Sequence, residues 1–241
     1  MNNELLLFLT LIVEFTFVVL CHRFLGKSGL YMWITIATIA QNIEVLILVK
    51  AFGIEMTLGN ILFASTFLVT DIVSELYGKS ESYKAVRIGI ITSIIFVTIS
   101  SSWLAYSPSE NDFASNSIRS IFSYTPRLML ASISVYVIVQ FMDVWLYHRW
   151  WKFTTEKFGD KKKFLWVRNN GSTLISQLLN TILFNTFAFW GTYPLKTLIS
   201  IILSSYLIFI ITSIADTPFI YLCRRWAMDS LNSSVSSDSE S

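Results

Sequence analysis

Charge is the first thing this chain is short of. Only 14% of its 241 residues are Asp, Glu, Lys or Arg, against 54% hydrophobic residues and a mean hydropathy of +0.58. That balance excludes an ordinary soluble domain, where about a quarter of the residues are charged. Cysteine is nearly absent too: Cys21 and Cys223 each sit at the end of an apolar run with no CxxC spacing, which reads as two free thiols rather than a disulfide or a metal site. The two histidines, His22 and His148, also lie at run ends, so neither is placed to serve a serine nucleophile. No HExxH, P-loop or GxSxG motif is present. An enzyme therefore lacks its constellation, and no catalytic residue, metal or cofactor is expected.

What is present in abundance is apolar length. A hydrocarbon core of about 30 Å needs about 20 helical residues to cross. Runs of that order recur at 5–25, 30–50, 58–77, 86–106, 128–147, 173–190 and 198–222. They are continuous rather than alternating, which predicts helices and not barrel strands. The fold class expected is all-α: a polytopic membrane bundle of six or seven transmembrane helices around a central polar cavity. Residues 1–228 form the membrane domain, and the Ser-rich, acidic stretch 229–241 reads as a disordered cytoplasmic tail. The N-terminus has no basic n-region, so the first span is expected to stay.

Orientation follows from basic residues, which are retained on the cytoplasmic side. Seven crossings with segment 148–168 inside place fourteen of the eighteen Lys and Arg inside; Lys50, Arg119, Arg127 and Lys196 fall outside. A six-span version with a re-entrant third segment gives thirteen to five, so the count leaves both open. Each puts the C-terminus in the cytoplasm. Segment 107–126 suits an external loop or lid, and 148–165, mixing Trp and Phe with Lys, suits a topology anchor or an interfacial amphipathic segment.

Polar residues inside the spans fall on faces. Ser132, Tyr136, Gln140, Asp143 and Tyr147 occupy an arc of about 80°. Thr173, Ser176, Gln177 and Asn180 fall within about 100°, with Asn185 a turn further on, and Ser205, Thr212 and Asp216 within about 40°. Ser and Thr alone are read as helix packing. Asp71, Glu75, Asp143 and Asp216 are read as functional, because a charge at bilayer depth costs ~2.5–3.5 kcal/mol on insertion scales. Buried polar faces without a catalytic constellation point to a porter of a small solute.

Four stretches carry a family resemblance. They are Phe67-Leu68-Val69-Thr70-Asp71-Ile72-Val73-Ser74-Glu75-Leu76-Tyr77-Gly78-Lys79; then Arg127, Ser132, Tyr136, Gln140 and Asp143; then Trp166-Val167-Arg168-Asn169-Asn170-Gly171-Ser172-Thr173 with Ser176-Gln177; and Asp216-Thr217-Pro218-Phe219-Ile220-Tyr221. In this order and spacing the chain resembles the queuosine-precursor transporters, also called the vitamin uptake transporter family, from about residue 60 to 222. The resemblance implies a bacterial inner-membrane importer of a 7-deazaguanine derivative or queuine, salvaged for tRNA modification. Its partners are then a small planar heterocycle and the lipid bilayer, with no direct nucleic-acid contact.

A carboxylate accepts the adjacent N–H donors of a guanine-like edge and an amide complements its carbonyl. Asp71, Glu75, Tyr136, Gln140, Asp143, Gln177 and Asn180 are therefore the expected substrate-binding residues. Arg127, Arg168, Asn169 and Asp216 are expected in structural or gating roles. Two positions depart from the family pattern: Asn180, where relatives commonly carry Asp, and Phe209, where many carry Lys. A stand-alone porter and a substrate-capture subunit with an ATP-hydrolysing partner, the energy-coupling-factor arrangement, both fit the residues, as does a homo-oligomer.

Overall fold

The computed structural model describes residues 2–123, 126–160, 163–191 and 193–238, with side chains for these except 54–55, 123, 126–129 and 230–238. Among the described residues the chain forms seven helices and one hairpin: α1 (Asn3–Glu44), β1 (Leu48–Ala51), β2 (Ile54–Thr57), α2 (Gly59–Tyr77), α3 (Lys79–Trp103), α4 (Ser115–Ser123), α5 (Pro126–Phe158), α6 (Leu165–Phe189) and α7 (Leu195–Asp238). This is an all-α polytopic membrane bundle.

The first two expected spans are the two limbs of α1. Gly26 breaks the helix with φ 57° and ψ −138°, a conformation that side chains with a Cβ disfavour. The limbs fold back on each other so closely that a Cβ on Gly29 would meet the Cys21 carbonyl at 2.1 Å. Both ends of α1 consequently lie at the hairpin: Asn3 Nδ2 donates to the Lys50 carbonyl at 2.8 Å, and the Phe52 amide donates to Glu4 Oε1 at 2.8 Å. The bundle thus has a hairpin end and a Gly26 end.

The third segment, which the sequence left between crossing and turning back, runs the full way. α2 starts at Gly59 against the end of α1 and finishes at Tyr77, whose hydroxyl sits 3.1 Å from His22 Nε2 near Gly26. Its 19 residues measure about 28 Å. Fourteen of them are buried, so α2 is the central helix. With α1 counted as two limbs, the chain makes seven passes. Among the described residues five helices are long and apolar enough to cross a membrane; α6, with 25 residues, has the length but carries a polar stripe.

The core packs α1 against α2 through Phe15, Val18, Leu30, Ile34, Leu68 and Ile72, all fully buried. Leu203, Leu207, Ile211 and Ile214 on α7 are all more than half exposed at intervals of four, four and three, a stripe that faces lipid.

Several boundaries differ from the sequence expectation. The second span ends at Glu44, because residues 48–50, apolar enough to extend it, pair instead with β2 across the turn at Phe52 and Gly53. Segment 148–165 does not form a separate interfacial helix: α5 continues unbroken to Phe158. The external segment holds α4, whose Phe122 packs on Phe96 and Trp103 of α3 at 6.2 and 5.5 Å. Helix α7 runs to Asp238, into the stretch read as a tail; residues 239–241 lie outside the described residues.

Candidate functional site

Helix α6 organises the polar interior. Arg168, Asn169, Ser172, Thr173, Ser176, Gln177, Asn180, Thr181 and Asn185 recur every one to four positions, and all are buried. From Arg168 to Asn180 this seam rises about 18 Å. It divides into three levels, met by α2, α5 and α7.

At the Gly26 end the level is ionic. Arg168 grips Glu75 with Nε to Oε2 at 2.9 Å and Nη2 to Oε1 and Oε2 at 2.7 Å. Tyr147 Oη donates to Glu75 Oε2 at 2.8 Å, and Arg224 Nη1 lies 3.3 Å from Oε1. The remaining guanidinium face stacks over Trp151 at 4.4 Å, and Nη1 donates to the Lys163 carbonyl. Buried charges persist only when paired and hydrogen-bonded, and every oxygen of Glu75 is so used. The network ties α2, α5, α6 and α7 together. Outside it, near the same end, Lys27 Nζ and the Tyr31 hydroxyl hold Glu81, Lys27 at 2.9 Å. The Tyr31 hydrogen bond, then that of Lys27, pulls the Glu81 carboxyl below its ordinary value.

The middle level is acidic and buried. Asp71 and Asp143, both fully buried, face each other; Thr173 Oγ1 donates to Asp71 Oδ2 at 3.1 Å. The Asp143 carboxyl lies within hydrogen-bonding reach of Ser176, Asp71 and Ser172. Asp216 of α7 accepts from Asn169 Nδ2 at 2.7 Å. Gln140 belongs to this region but is engaged: its Nε2 donates to Thr66 Oγ1 at 2.7 Å. Gln177 Nε2 is unpartnered. Tyr136 packs against Phe63, with its hydroxyl where a Cβ on Gly89 would stand, so that glycine is what admits the ring beside α3.

The hairpin-end level is a cavity of about 280 Å³ between the hairpin, α2, α6 and α7, lined by Thr57, Asn60, Asn180, Asn185, Ser205 and Phe209 among others. A narrower pocket of about 40 Å³ shares Thr57, Asn60, Asn180 and Phe184 with it and reaches Gln41, Phe63 and Ser132. A polar, partly aromatic concavity of this kind suits a small planar solute.

A family model described as "Putative vitamin uptake transporter" matches residues 57–223. The chain belongs to this transporter family. A curated relative from Bacillus subtilis (strain 168), named "Probable queuosine precursor transporter", is 33% identical over 224 residues, covering 93% of this chain and 95% of its own. No solved structure matches the chain significantly. The family and this relative are described as transporters, not enzymes.

In this member of the family the expected site residues fall at different levels of the seam. Of the seven expected to bind substrate, only Asn180 lines the hairpin-end cavity. Asp71, Asp143 and Gln177 lie deeper along the seam, Gln140 and Tyr136 pack between helices, and Glu75 is held by Arg168. Arg168, Asn169 and Asp216 sit in the lower two levels; the Arg127 side chain lies outside the described residues. The two departures, Asn180 and Phe209, line the same cavity wall. Sequence reasoning missed Asn60, Thr57 and the hairpin, and counted Arg224 only as a topology signal. The demand of buried Glu75 for a counter-charge was the one cue to its pairing.

Proposed function

We propose that this chain imports a queuosine precursor, a 7-deazaguanine derivative or queuine, for tRNA-modification salvage, and that it does so across the bacterial cytoplasmic membrane with its C-terminus inside. The observation that carries the reading is the graded seam of α6: an open polar cavity at the hairpin end, buried acids without a counter-charge in the middle, and an ionic closure at the Gly26 end. The name of the Bacillus relative supplies the substrate class.

In this reading the hairpin end faces outward, as the fourteen-of-eighteen bias of basic residues toward the other side favours. Asn180 meets the solute first. Asp71 and Asp143, with Gln177 and Gln140 beside them, then accept the N–H donors of the base as the helices part, since neither acid is held by a counter-charge. Tyr136 flanks the path. Glu75, Arg168, Asn169 and Asp216 hold the inner end shut until the solute has passed.

The test is rescue of tRNA queuosine in a cell that cannot make the precursor, fed each candidate in turn. The wild-type chain is expected to rescue, and Asp71→Asn and Asp143→Asn to abolish rescue while remaining in the membrane. Full rescue by both variants, or none by the wild type, overturns the proposal. Uptake into proteoliposomes by this chain alone further distinguishes a stand-alone porter from a capture subunit.

A further inference from the structure

The two acids at the middle of the seam lack the partner that Glu75 has one turn away. Glu75 takes both Arg168 and Arg224. Asp71 and Asp143, on α2 and α5, instead have each other: their carboxyls lie within hydrogen-bonding reach, and both residues are fully buried. Their remaining neighbours on α6 are hydroxyls, Thr173 donating to Asp71 at 3.1 Å and Ser172 and Ser176 beside Asp143. Two ionised carboxyls in contact repel, and neither has a hydrogen to place between them. Contact without a counter-charge therefore requires a proton held in common.

The described groups facing the pair from the other helices supply no cation. Asp216 of α7 is a further acid, and Tyr147 of α5 is hydrogen-bonded to Glu75. Ser82 of α3 donates to the Thr70 carbonyl at 3.4 Å, and Thr38 of α1 faces Tyr136, two turns from Asp143. A metal cation suits the place less well than a proton. Sodium sites in transporters draw on carbonyls of unwound helices, whereas α2, α5 and α6 run unbroken past these residues with their carbonyls spent inside the helix.

A singly protonated pair also matches the base better than two carboxylates would. A guanine-like edge sets N–H donors beside a carbonyl acceptor. The ionised acid accepts from the donors, and the neutral acid donates its O–H to the carbonyl. Gln177 Nε2, on a residue 1% exposed and one turn along α6 from Thr173, has no partner and is a second donor for that carbonyl.

Resting on the queuosine-precursor reading, we infer that Asp71 and Asp143 share one proton, that the singly protonated pair is the form that binds the base, and that this proton crosses with the solute. The chain is then a proton symporter. One proton and one solute molecule leave the outside and appear inside, and no bond of the solute changes.

The experiment uses the full chain in proteoliposomes with labelled 7-cyano-7-deazaguanine, an uncharged solute, and a pH dye trapped inside. With the membrane potential clamped at zero, an acid-outside gradient is expected to drive about tenfold accumulation per pH unit, and solute entry to acidify the interior. Solute binding to the purified protein is expected to weaken about tenfold per pH unit once the shared proton is lost. Asp143→Asn or Asp71→Asn, whichever places an amide where the proton-bearing acid stood, is expected to bind with a flat pH profile over that range. Accumulation driven by a sodium gradient instead, solute entry without proton movement, or a wild-type profile kept by both folded variants overturns the inference while leaving the queuosine-precursor reading intact. No entry under any gradient, with tRNA queuosine still rescued in cells, also overturns the inference alone and points to a capture subunit. Failure of both entry and rescue overturns the two together.

Discussion

The two ends of this bundle solve the same problem in opposite ways. At the Gly26 end, four helices are drawn together by a carboxylate and two guanidinium groups, with Tyr147 and the Lys163 carbonyl completing the set. At the hairpin end, helices of the same seam are held apart around about 280 Å³ by groups without charge, one of which keeps an idle donor. Charge closes and neutrality opens. A cavity wall built of ions would bind water and counter-ions tightly, whereas amides and hydroxyls exchange partners at little net cost, near 1 kcal/mol per hydrogen bond. A closure built of amides would be too weak to hold four helices against lipid, where interhelical hydrogen bonds average about 0.6 kcal/mol.

The sharpest way to break the contrast is to remove one charge from the closed end. Arg168→Met leaves Glu75 buried with only Arg224 and Tyr147, and is expected to destabilise the protein by about 3–5 kcal/mol. Glu75→Met/Arg168→Met together should recover much of that loss, since neither charge is then stranded. Thermal unfolding in detergent across the two singles and the double measures the coupling. An Arg168→Met protein as stable as the wild type would mean that this end is not locked by the pair.

The open end should answer differently to the same kind of cut. Asn60→Ala removes an Nδ2 that nothing in the protein uses, so stability is expected to fall by less than about 1 kcal/mol, the cost of the Thr57 bond. Substrate uptake should suffer instead, with the apparent KM for the imported solute rising by about tenfold if the idle Nδ2 donates to it. Loss of stability with an unchanged KM would reassign Asn60 to the frame.

Much of this division was written in the chain and some was not. The succession of apolar spans was legible because length alone sets it, and so was a break between residues 25 and 30, although nothing singled out Gly26 as the point of the bend. The polar stripe of α6 was legible from its spacing, and so was the intramembrane position of Asp71, Asp143 and Asp216. The pairing of Glu75 with Arg168 was not, since the two lie 93 residues apart and the second had been read as a loop residue at the membrane edge. Grouping Glu75 with Asp71 was natural on one helical turn, yet the turn between them separates an ion-paired level from a buried acidic one. The hairpin escaped because Leu48 and Val49 are as apolar as the span they follow, and only their partners on β2 make them strands. Asn60 escaped because it sits at a helix start, where an amide ordinarily reads as a cap.

The smallest expected effect lies on the rim of the closed end and comes with a pH signature. Glu81, in the first turn of α3, is held by the Tyr31 hydroxyl and by Lys27, and both lower its pKa from the ordinary 4.5. A carboxyl with a depressed folded-state pKa contributes stability above its unfolded value, and that contribution is lost as pH falls through the lower folded value. The effect at an exposed pair is small and screened by salt. Glu81→Gln should therefore melt slightly below the wild type at pH 7, and the difference should vanish as pH drops from 4.5 through the depressed value, the two melting curves then coinciding. The open end has no counterpart among its described lining residues, so Asn60→Ala and wild type should keep a constant separation over the same range. A Glu81→Gln difference that persisted or grew in acid would show that the rim contact acts through packing of Tyr31 rather than through charge.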